Sequence, residues 1–368
     1  MAGGVFPNLR NRLLGSARFR DSIQKVPLFQ YIARSQANDL FRLVGGFIHS
    51  QVLLACVRLD LVERLRNGAV DASALARETG LSEQGARHLF AAADALGLLE
   101  LQQDGRVMLG PRGATLVDNP GVLAMIRHHA LFYEDLLDPV ALFSGEHRDT
   151  RMGSLWAYAS GEGSDSLDPA AVRQYSELMA VSQTMVADQV LGAVPLRSCR
   201  SLLDIGGGSG AFAMAAARRW PKLDVAVADL PPVAAIARER IRAADLDDRI
   251  DVFGADATAD PLPDGFDMVS LVRILHDHGD DTVMKLLGAA YRSLRPGGTL
   301  LVGEPMAGSS PSGRLVSAYF NVYLFAMGSG VPRRPERLAE LCHAAGFRRV
   351  RRRRTRVPMI TGVLLADR

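Results

Sequence analysis

The chain has 368 residues, of which 48% are hydrophobic and 23% charged. At ~100–200 residues per domain this predicts two or three domains with packed cores and excludes wholesale disorder. Three scattered cysteines, Cys56, Cys199 and Cys342, with no Cys-x-x-Cys pair, argue against a disulfide framework or a cysteine zinc site and predict a reducing, cytoplasmic compartment. The net charge of +3 is unevenly spread. Arg348, Arg349, Arg351, Arg352, Arg353, Arg354 and Arg356 stand together, so the rest of the chain is net acidic.

Residues 1–35 read as a basic arm. Arg10, Arg12, Arg18, Arg20, Lys25 and Arg34 face only Asp21, with Leu9, Leu13, Leu14, Phe19 and Ile23 interleaved. The arm lacks the apolar run of a signal peptide. Its pattern predicts either contact with an anionic membrane surface or a plain solvated face. No segment reads as a membrane span, because the uncharged stretch 315–332 is broken by Ser317 and Asn321 and ends in Gly-Ser-Gly.

Residues 36–190 read as a helical module. Phe41, Val44, Phe47, Ile48, Leu54 and Leu61 recur at helical spacing. A helix, a turn at Gly80 and a second helix N-capped by Ser82 follow. A hairpin turning at Asp104-Gly105 completes a winged helix-turn-helix. DNA binding is the weaker reading, since the second helix sets Glu83 and Asp94 beside Arg87 and His88. Dimer packing accounts better for the apolar runs, and no nucleic-acid partner is expected.

Residues 191–368 alternate strand and helix. Strands are predicted at 201–205, 223–229, 250–253, 266–272 and 299–303, with helices between them. A helix at 335–345 and two closing strands follow. This order predicts a doubly wound, Rossmann-like parallel sheet, α/β in class.

The chemistry concentrates at the strand ends. Asp204-Ile-Gly-Gly-Gly-Ser-Gly210 turns a strand sharply into a helix and lets a ligand approach the backbone at Gly206 and Gly208. Asp229 ends the second strand, where a carboxylate can accept ribose hydroxyls. Asp256, followed by Ala257, ends the third, where a carboxylate can accept an adenine amino group. A relaxed dinucleotide fingerprint keeps a dehydrogenase as a rival. Asp204, just before the glycines, suits a cationic ligand better than a pyrophosphate.

This set resembles the S-adenosylmethionine-dependent methyltransferases, and within them the plant-type small-molecule O-methyltransferases. Ile274-Leu-His-Asp-His278 stands where that family has Leu-His-Asp-Trp, and Tyr175-Ser-Glu-Leu-Met179-Ala-Val-Ser182 is similar to its linker helix beside the sulfonium. The resemblance implies S-adenosylmethionine as cofactor, held by Asp204, Gly206, Gly208, Asp229, Leu230, Asp256, Ala257, Arg273, Tyr175 and Met179. It implies His276 as general base, Glu304 as the carboxylate that orients it, no metal, and a homodimer built by the winged-helix module; Asp277 is placed with them in the catalytic set, with capping or holding the loop as its expected task. Two departures stand out. The Trp is His278 here, and the stretch Gly330-Val-Pro-Arg-Arg-Pro335 lacks the family's second carboxylate, which leaves Glu304 alone to orient His276.

A narrower resemblance, carried by residues 39–61, 119–130 and 319–330, is to the bacterial O-methyltransferases of acyclic carotenoids of the demethylspheroidene and hydroxyneurosporene type. It implies methylation of a tertiary hydroxyl in carotenoid biosynthesis of a photosynthetic bacterium, with peripheral contact at the inner or photosynthetic membrane. Alternatives are a bacteriochlorophyllide ring C-methyltransferase, an O-methyltransferase of a phenolic or polyketide acceptor, and a ligand-sensing regulator. Phe132, Tyr133, Trp156, Tyr158, Tyr319, Phe320, Tyr323, Phe325 and Met327 are expected either along the wall of a hydrophobic acceptor pocket or in ordinary core. His128 and His129 invite a metal reading, but neighbours on a helix diverge by ~100°.

Overall fold

The computed structural model describes residues 11–12, 16, 27–145, 149–154, 169–194, 196–197 and 199–368. Most of the basic arm lies outside them, as do Trp156 and Tyr158. The chain divides into two compact units, residues 1–117 and 118–368.

In the first unit, α1 (Pro27–Val44) and α2 (Gly46–Arg58) lead into α3 (Ala72–Glu78) and α4 (Glu83–Ala95). Asp71 caps α3 through the Ala74 N–H, and Ser82 caps α4 through the Gly85 N–H. Each cap satisfies an amide the helix itself leaves unpaired. Strands β1 (Val70–Asp71), β2 (Leu99–Leu101) and β3 (Arg106–Leu109) pair in the order β1-β3-β2, and Gly105 turns the hairpin with φ +82. Leu61, Leu75, Phe90, Ala93 and Val107 fill the core of this winged helix. Tyr31, Phe41, Leu43 and Phe47 are exposed by 69–78% and form an unburied apolar face on α1 and α2. Among the described residues no single helix is long and apolar enough to cross a membrane. One pair, Arg34–Val44 with Gly46–Arg58, reaches that length and apolarity only across a 52° bend.

The second unit opens with α5 (Pro120–Asp135) and α6 (Pro169–Ala193). The sequence reading groups both with the N-terminal module over 36–190; by packing, the structure places both in the unit of residues 118–368. Val186, Ala187, Val190 and Leu191 of α6 lie in one core with the sheet residues Leu202, Val225, Leu301 and Val363. Burying a Val or Leu side chain contributes about 1.5–3 kcal/mol, so α6 is tied to the sheet by its apolar face.

The sheet has seven strands: β4 (Ser201–Ile205), β5 (Asp224–Asp229), β6 (Ile250–Gly254), β7 (Phe266–Val272), β8 (Leu294–Glu304), β9 (Arg348–Arg353) and β10 (Gly362–Asp367). Their order is β6-β5-β4-β7-β8-β10-β9, parallel from β6 to β8, with β10 antiparallel to both β8 and β9. Helices α7 (Ala211–Arg219), α8 (Pro231–Ala243), α9 (Asp280–Ser293), α10 (Pro311–Met327) and α11 (Pro335–Ala344) connect and cover it. Near-continuous apolar runs such as Ser201-Leu-Leu-Asp-Ile205 suit strands buried on both faces, and two cores lie on opposite faces. The order reverses at β4 and β7, which places the switch point of the sheet between them. The closing antiparallel hairpin agrees with the sequence. The helix α10 does not, since the sequence reading assigns no helix to residues 311–327.

Candidate active site

The site grows from the carboxyl ends of β4, β5, β7 and β8. After β4, the backbone of Gly206, Gly208 and Gly210 takes φ of +67, +58 and +79, a region open to glycine without strain. Space is tight as well. A Cβ on Gly206 would stand 2.0 Å from Cδ1 of Ile274, and one on Gly207 would stand 2.7 Å from Oδ2 of Asp204. At Gly206 the turn therefore packs directly against Ile274 of the turn after β7, while at Gly208, where a Cβ would meet nothing within 4 Å, its backbone stays open to a ligand.

Asp204 is buried at the end of β4. Its Oδ1 accepts the Ser270 hydroxyl at 2.6 Å, while its Oδ2 is buried without a hydrogen-bond partner. Burial pushes its carboxyl up to about 7. The Ser270 hydrogen bond offsets part of that rise, and the charge of Asp229 adds to it. An unpartnered buried carboxylate oxygen is costly unless a cation or donor meets it. Ser270 was missed in the sequence; the signal was the polar residue inside the apolar run Met268-Val-Ser-Leu-Val272.

Asp229 sits at the end of β5. It accepts the Gly208 and Leu230 N–H groups, each at 2.7 Å, and so ties the glycine turn to the start of α8. Leu230 joins the site through its backbone. Asp256 uses Oδ1 to accept both the N–H and the hydroxyl of Thr258, which shapes the turn that holds Ala257. Arg273 takes φ +57 immediately after β7, a strained setting for a side-chain-bearing residue, and its guanidinium donates to Ser182 Oγ of α6 at 3.1 Å. Tyr175 and Met179 fall within α6, but their side chains lie outside the described residues.

Next along the chain, the short turn 275–277 carries His276, 5% exposed. Glu304, at the end of the neighbouring strand β8, accepts the Ile274 and Leu275 N–H groups on Oε1 and the His276 Nδ1–H on Oε2 at 2.5 Å. One carboxylate therefore fixes both the turn and the ring. Holding the proton on Nδ1 leaves the Nε2 lone pair as the basic site. Asp277 places Oδ1 3.2 Å from Nε2. His276 is thus flanked by two carboxylates, and the expectation that Glu304 acts alone is corrected. Burial by itself would push the imidazole down. Asp277 and Glu304 outweigh it, so its pKa stands above the ordinary 6.5. Burial also holds the Asp277 carboxyl up at about 6 against the pull of His276.

Beside this turn, α10 sets Phe320 edge-on to the His276 ring, with centroids 5.7 Å apart. Tyr319 and Tyr323 stack at 5.4 Å. The Tyr319 hydroxyl meets His129 Nε2 at 2.7 Å, and the Tyr323 hydroxyl meets His128 Nε2 at 3.0 Å. The two histidines engage two different tyrosines, which leaves no common ion between them. Among the described residues no group of three or more His, Cys, Asp or Glu could hold a metal. Burial, with His129 and Arg273 adding, lowers His128 to about 4, and burial lowers His129 as well, so both rings are neutral. Phe132, Tyr323 and Met327 pack in a buried cluster. Phe325 turns outward, 48% exposed, and stacks on Phe143.

A glycine turn with a buried orphan carboxylate, a carboxylate at the end of the next strand, and an imidazole beside aromatic side chains thus stand together at the carboxyl ends of β4, β5, β7 and β8. A family profile for an O-methyltransferase domain matches residues 133–348, and one for an O-methyltransferase dimerisation domain matches residues 41–119. The demethylspheroidene O-methyltransferase of Cereibacter sphaeroides is 39% identical over 92% of this chain and 89% of its own length. That of Rhodobacter capsulatus is 37% identical over 98% and 90%. A solved S-adenosylmethionine-dependent methyltransferase, SibL in its apo form, superposes with a TM-score of 0.75 at 26% identity, over 90% of this chain and 98% of its own. The chain belongs to the S-adenosylmethionine-dependent O-methyltransferase family.

Proposed function

We propose that this protein transfers a methyl group from S-adenosylmethionine to the tertiary 1-hydroxyl of an acyclic carotenoid, with His276 as the general base. The observation that carries the reading is the His276–Glu304 pair at 2.5 Å, buried beside the aromatic side chains of α10. The 37–39% identity to two demethylspheroidene O-methyltransferases supports the acceptor class.

The residues present fit the cofactor. The unpartnered Oδ2 of Asp204 offers an acceptor to a cationic amino-acid moiety, and the backbone at Gly208, where a Cβ would meet nothing within 4 Å, is open to close approach. Asp229 and Asp256 would serve the ribose and the adenine, with Leu230 and Ala257 alongside. When bound, S-adenosylmethionine supplies a sulfonium-activated methyl group. His276 then has one task, to accept the hydroxyl proton on Nε2 as the oxygen attacks. Glu304 keeps the other proton on Nδ1 and stabilises the resulting imidazolium. Nonpolar rings and neutral His–Tyr pairs around the acceptor exclude water without adding charge, which suits a polyene.

The dimerisation domain, with its exposed apolar face on α1 and α2, supports a homodimer. Because a carotenoid partitions into bilayers, the proposal includes transient contact with a membrane surface through the basic arm.

The test is methyl transfer from labelled S-adenosylmethionine to 1-hydroxy acyclic carotenoids in detergent, run beside bacteriochlorophyllides and phenols. Label in the carotenoid supports the reading. Label only in the tetrapyrrole or in a phenol overturns the acceptor and keeps the cofactor.

A further inference from the structure

Four consecutive carbonyls of the turn that bears His276 are all taken by one short segment more than fifty residues further along the chain. The Leu275 carbonyl accepts from Arg333 Nη1 at 2.6 Å, and the His276 carbonyl from the Val331 N–H at 2.9 Å. The Asp277 carbonyl accepts from Ser329 Oγ at 2.5 Å, and the His278 carbonyl from Arg333 Nη2 at 2.7 Å. Gly330 makes this approach possible. Its φ is +90, and a Cβ there would stand 2.2 Å from the His276 carbonyl oxygen. Arg333 is itself buried, 5% exposed, and its Nε donates to Asp280 at 2.8 Å, at the start of α9.

We propose that residues 329–333 form a positioning clamp for His276, with Arg333 as its anchor. The clamp acts on the backbone of the turn, from the stretch 330–335 that lacks the second carboxylate of the plant-type pattern. A guanidinium suits the task because its planar fork reaches two carbonyls and a carboxylate at once, which an ammonium cannot do with the same geometry. The clamp also continues directly from α10, which ends at Met327. One continuous segment therefore sets both the Phe320 ring against the imidazole and the backbone beneath it. Arg333 touches no reacting atom; it sets where Nε2 stands, and small misplacements of a base are costly in rate.

The proposal rests on His276 being the base, and the experiment separates the two. Arg333→Met, Arg333→Lys and Ser329→Ala are each made alone and combined with His276→Ala. Turnover, KM for S-adenosylmethionine and melting temperature are then measured. The clamp predicts that Arg333→Met lowers kcat by about tenfold to a hundredfold. KM for the cofactor stays within about twofold, and the loss shrinks to about twofold or less in the His276→Ala background, because coupled residues are not additive. Ser329→Ala moves kcat the same way by less. An equal fold-loss in both backgrounds, or an unchanged kcat, overturns the clamp and leaves Arg333 as scaffold. Undiminished turnover in His276→Ala alone overturns the base, and the clamp with it. Should Arg333→Met fail to fold, Ser329→Ala and Arg333→Lys complete the same cycle.

Discussion

Two turns face each other across the switch point of the sheet, and they are built on opposite plans. The glycine turn after β4 is spare. It bares its backbone, and the buried carboxylate beneath it keeps one oxygen without a partner. The histidine turn after β7 is saturated. Its amides are held by Glu304 and its carbonyls by residues 329–333. The first is arranged to receive a ligand that completes it, and the second to hold one nitrogen still. Binding energy and catalytic precision are thereby assigned to different strands, so substitutions in each turn should fail in different observables.

The largest effect is expected at Gly206→Val. The new side chain meets Ile274 and must adopt φ +67. Left-handed backbone costs roughly 1–2 kcal/mol for a side-chain-bearing residue, and overpacking adds roughly 1–3. Together these cost the folded protein roughly 2–5 kcal/mol, read as a lower melting temperature, and a turn displaced to relieve them should hold the cofactor about tenfold or more weakly by calorimetry. Near-wild-type affinity would mean that the ligand does not lie on this turn.

His276→Ala should fail differently. General bases contribute about 10²–10⁴ in rate. The expectation is a kcat reduced at least a hundredfold, with cofactor affinity unchanged because the ring does not belong to the glycine turn. The wild-type profile sharpens the point. His276 must be neutral to accept a proton, and Asp277 and Glu304 raise its pKa above 6.5. Activity should therefore fall as pH drops through a value above 6.5. In Glu304→Gln one of the two raising charges is gone and Asp277 remains, so that limb should move to lower pH even as kcat falls. A limb that stays put would show that another group titrates.

These two turns also differ in how much of them the sequence disclosed. The glycine turn is a local object: its conformational demands are met by Gly206, Gly208 and Asp204 within five residues, and they can be read in order. The strand and helix alternation around it was legible for the same reason. The histidine turn is assembled from afar. His276 and Glu304 could be named only through a resemblance, and Asp277 was expected to hold the loop rather than to face Nε2. Arg333 and Ser329 carry no signature, because a guanidinium that binds carbonyls looks in sequence like any surface arginine. The module boundary was missed because α6 reads as generic amphipathic helix until the sheet residues it covers are known. The outward turn of Phe325 likewise depends on helix phase, which its bare hydrophobicity does not reveal.

A third effect tests the spare turn by titration. Asp204 stands at about 7, mainly through burial. A cationic ligand selects the carboxylate, so binding must expel a proton whenever the carboxyl is protonated. Below about pH 7 the cofactor affinity should fall by about tenfold per pH unit, and above it should level off. Calorimetry in buffers of different ionisation enthalpy should show proton release on the acid side only. In Asp204→Asn the slope should vanish and the affinity should remain low across the range. An affinity in the wild type that is flat from pH 5 to 8 would assign the cation to another group.

The smallest effect is expected where neither plan applies, at the His–Tyr pairs of the acceptor wall. Tyr319→Phe keeps the ring that stacks on Tyr323 and removes the hydroxyl that meets His129 at 2.7 Å. A half-buried imidazole nitrogen left without its partner costs about 1–3 kcal/mol at most, and access to water lowers that figure. Neither turn loses a contact, so cofactor affinity and the acid limb of kcat should both stay unchanged. What should change is the fit of the acceptor, read as a few-fold rise in its KM, with Phe320→Ala giving a larger rise because its edge packs on His276. If Tyr319→Phe instead moves the acid limb, the His129–Tyr319 pair is electrically coupled to His276. The aromatic wall would then belong to the proton path as well as to the acceptor pocket.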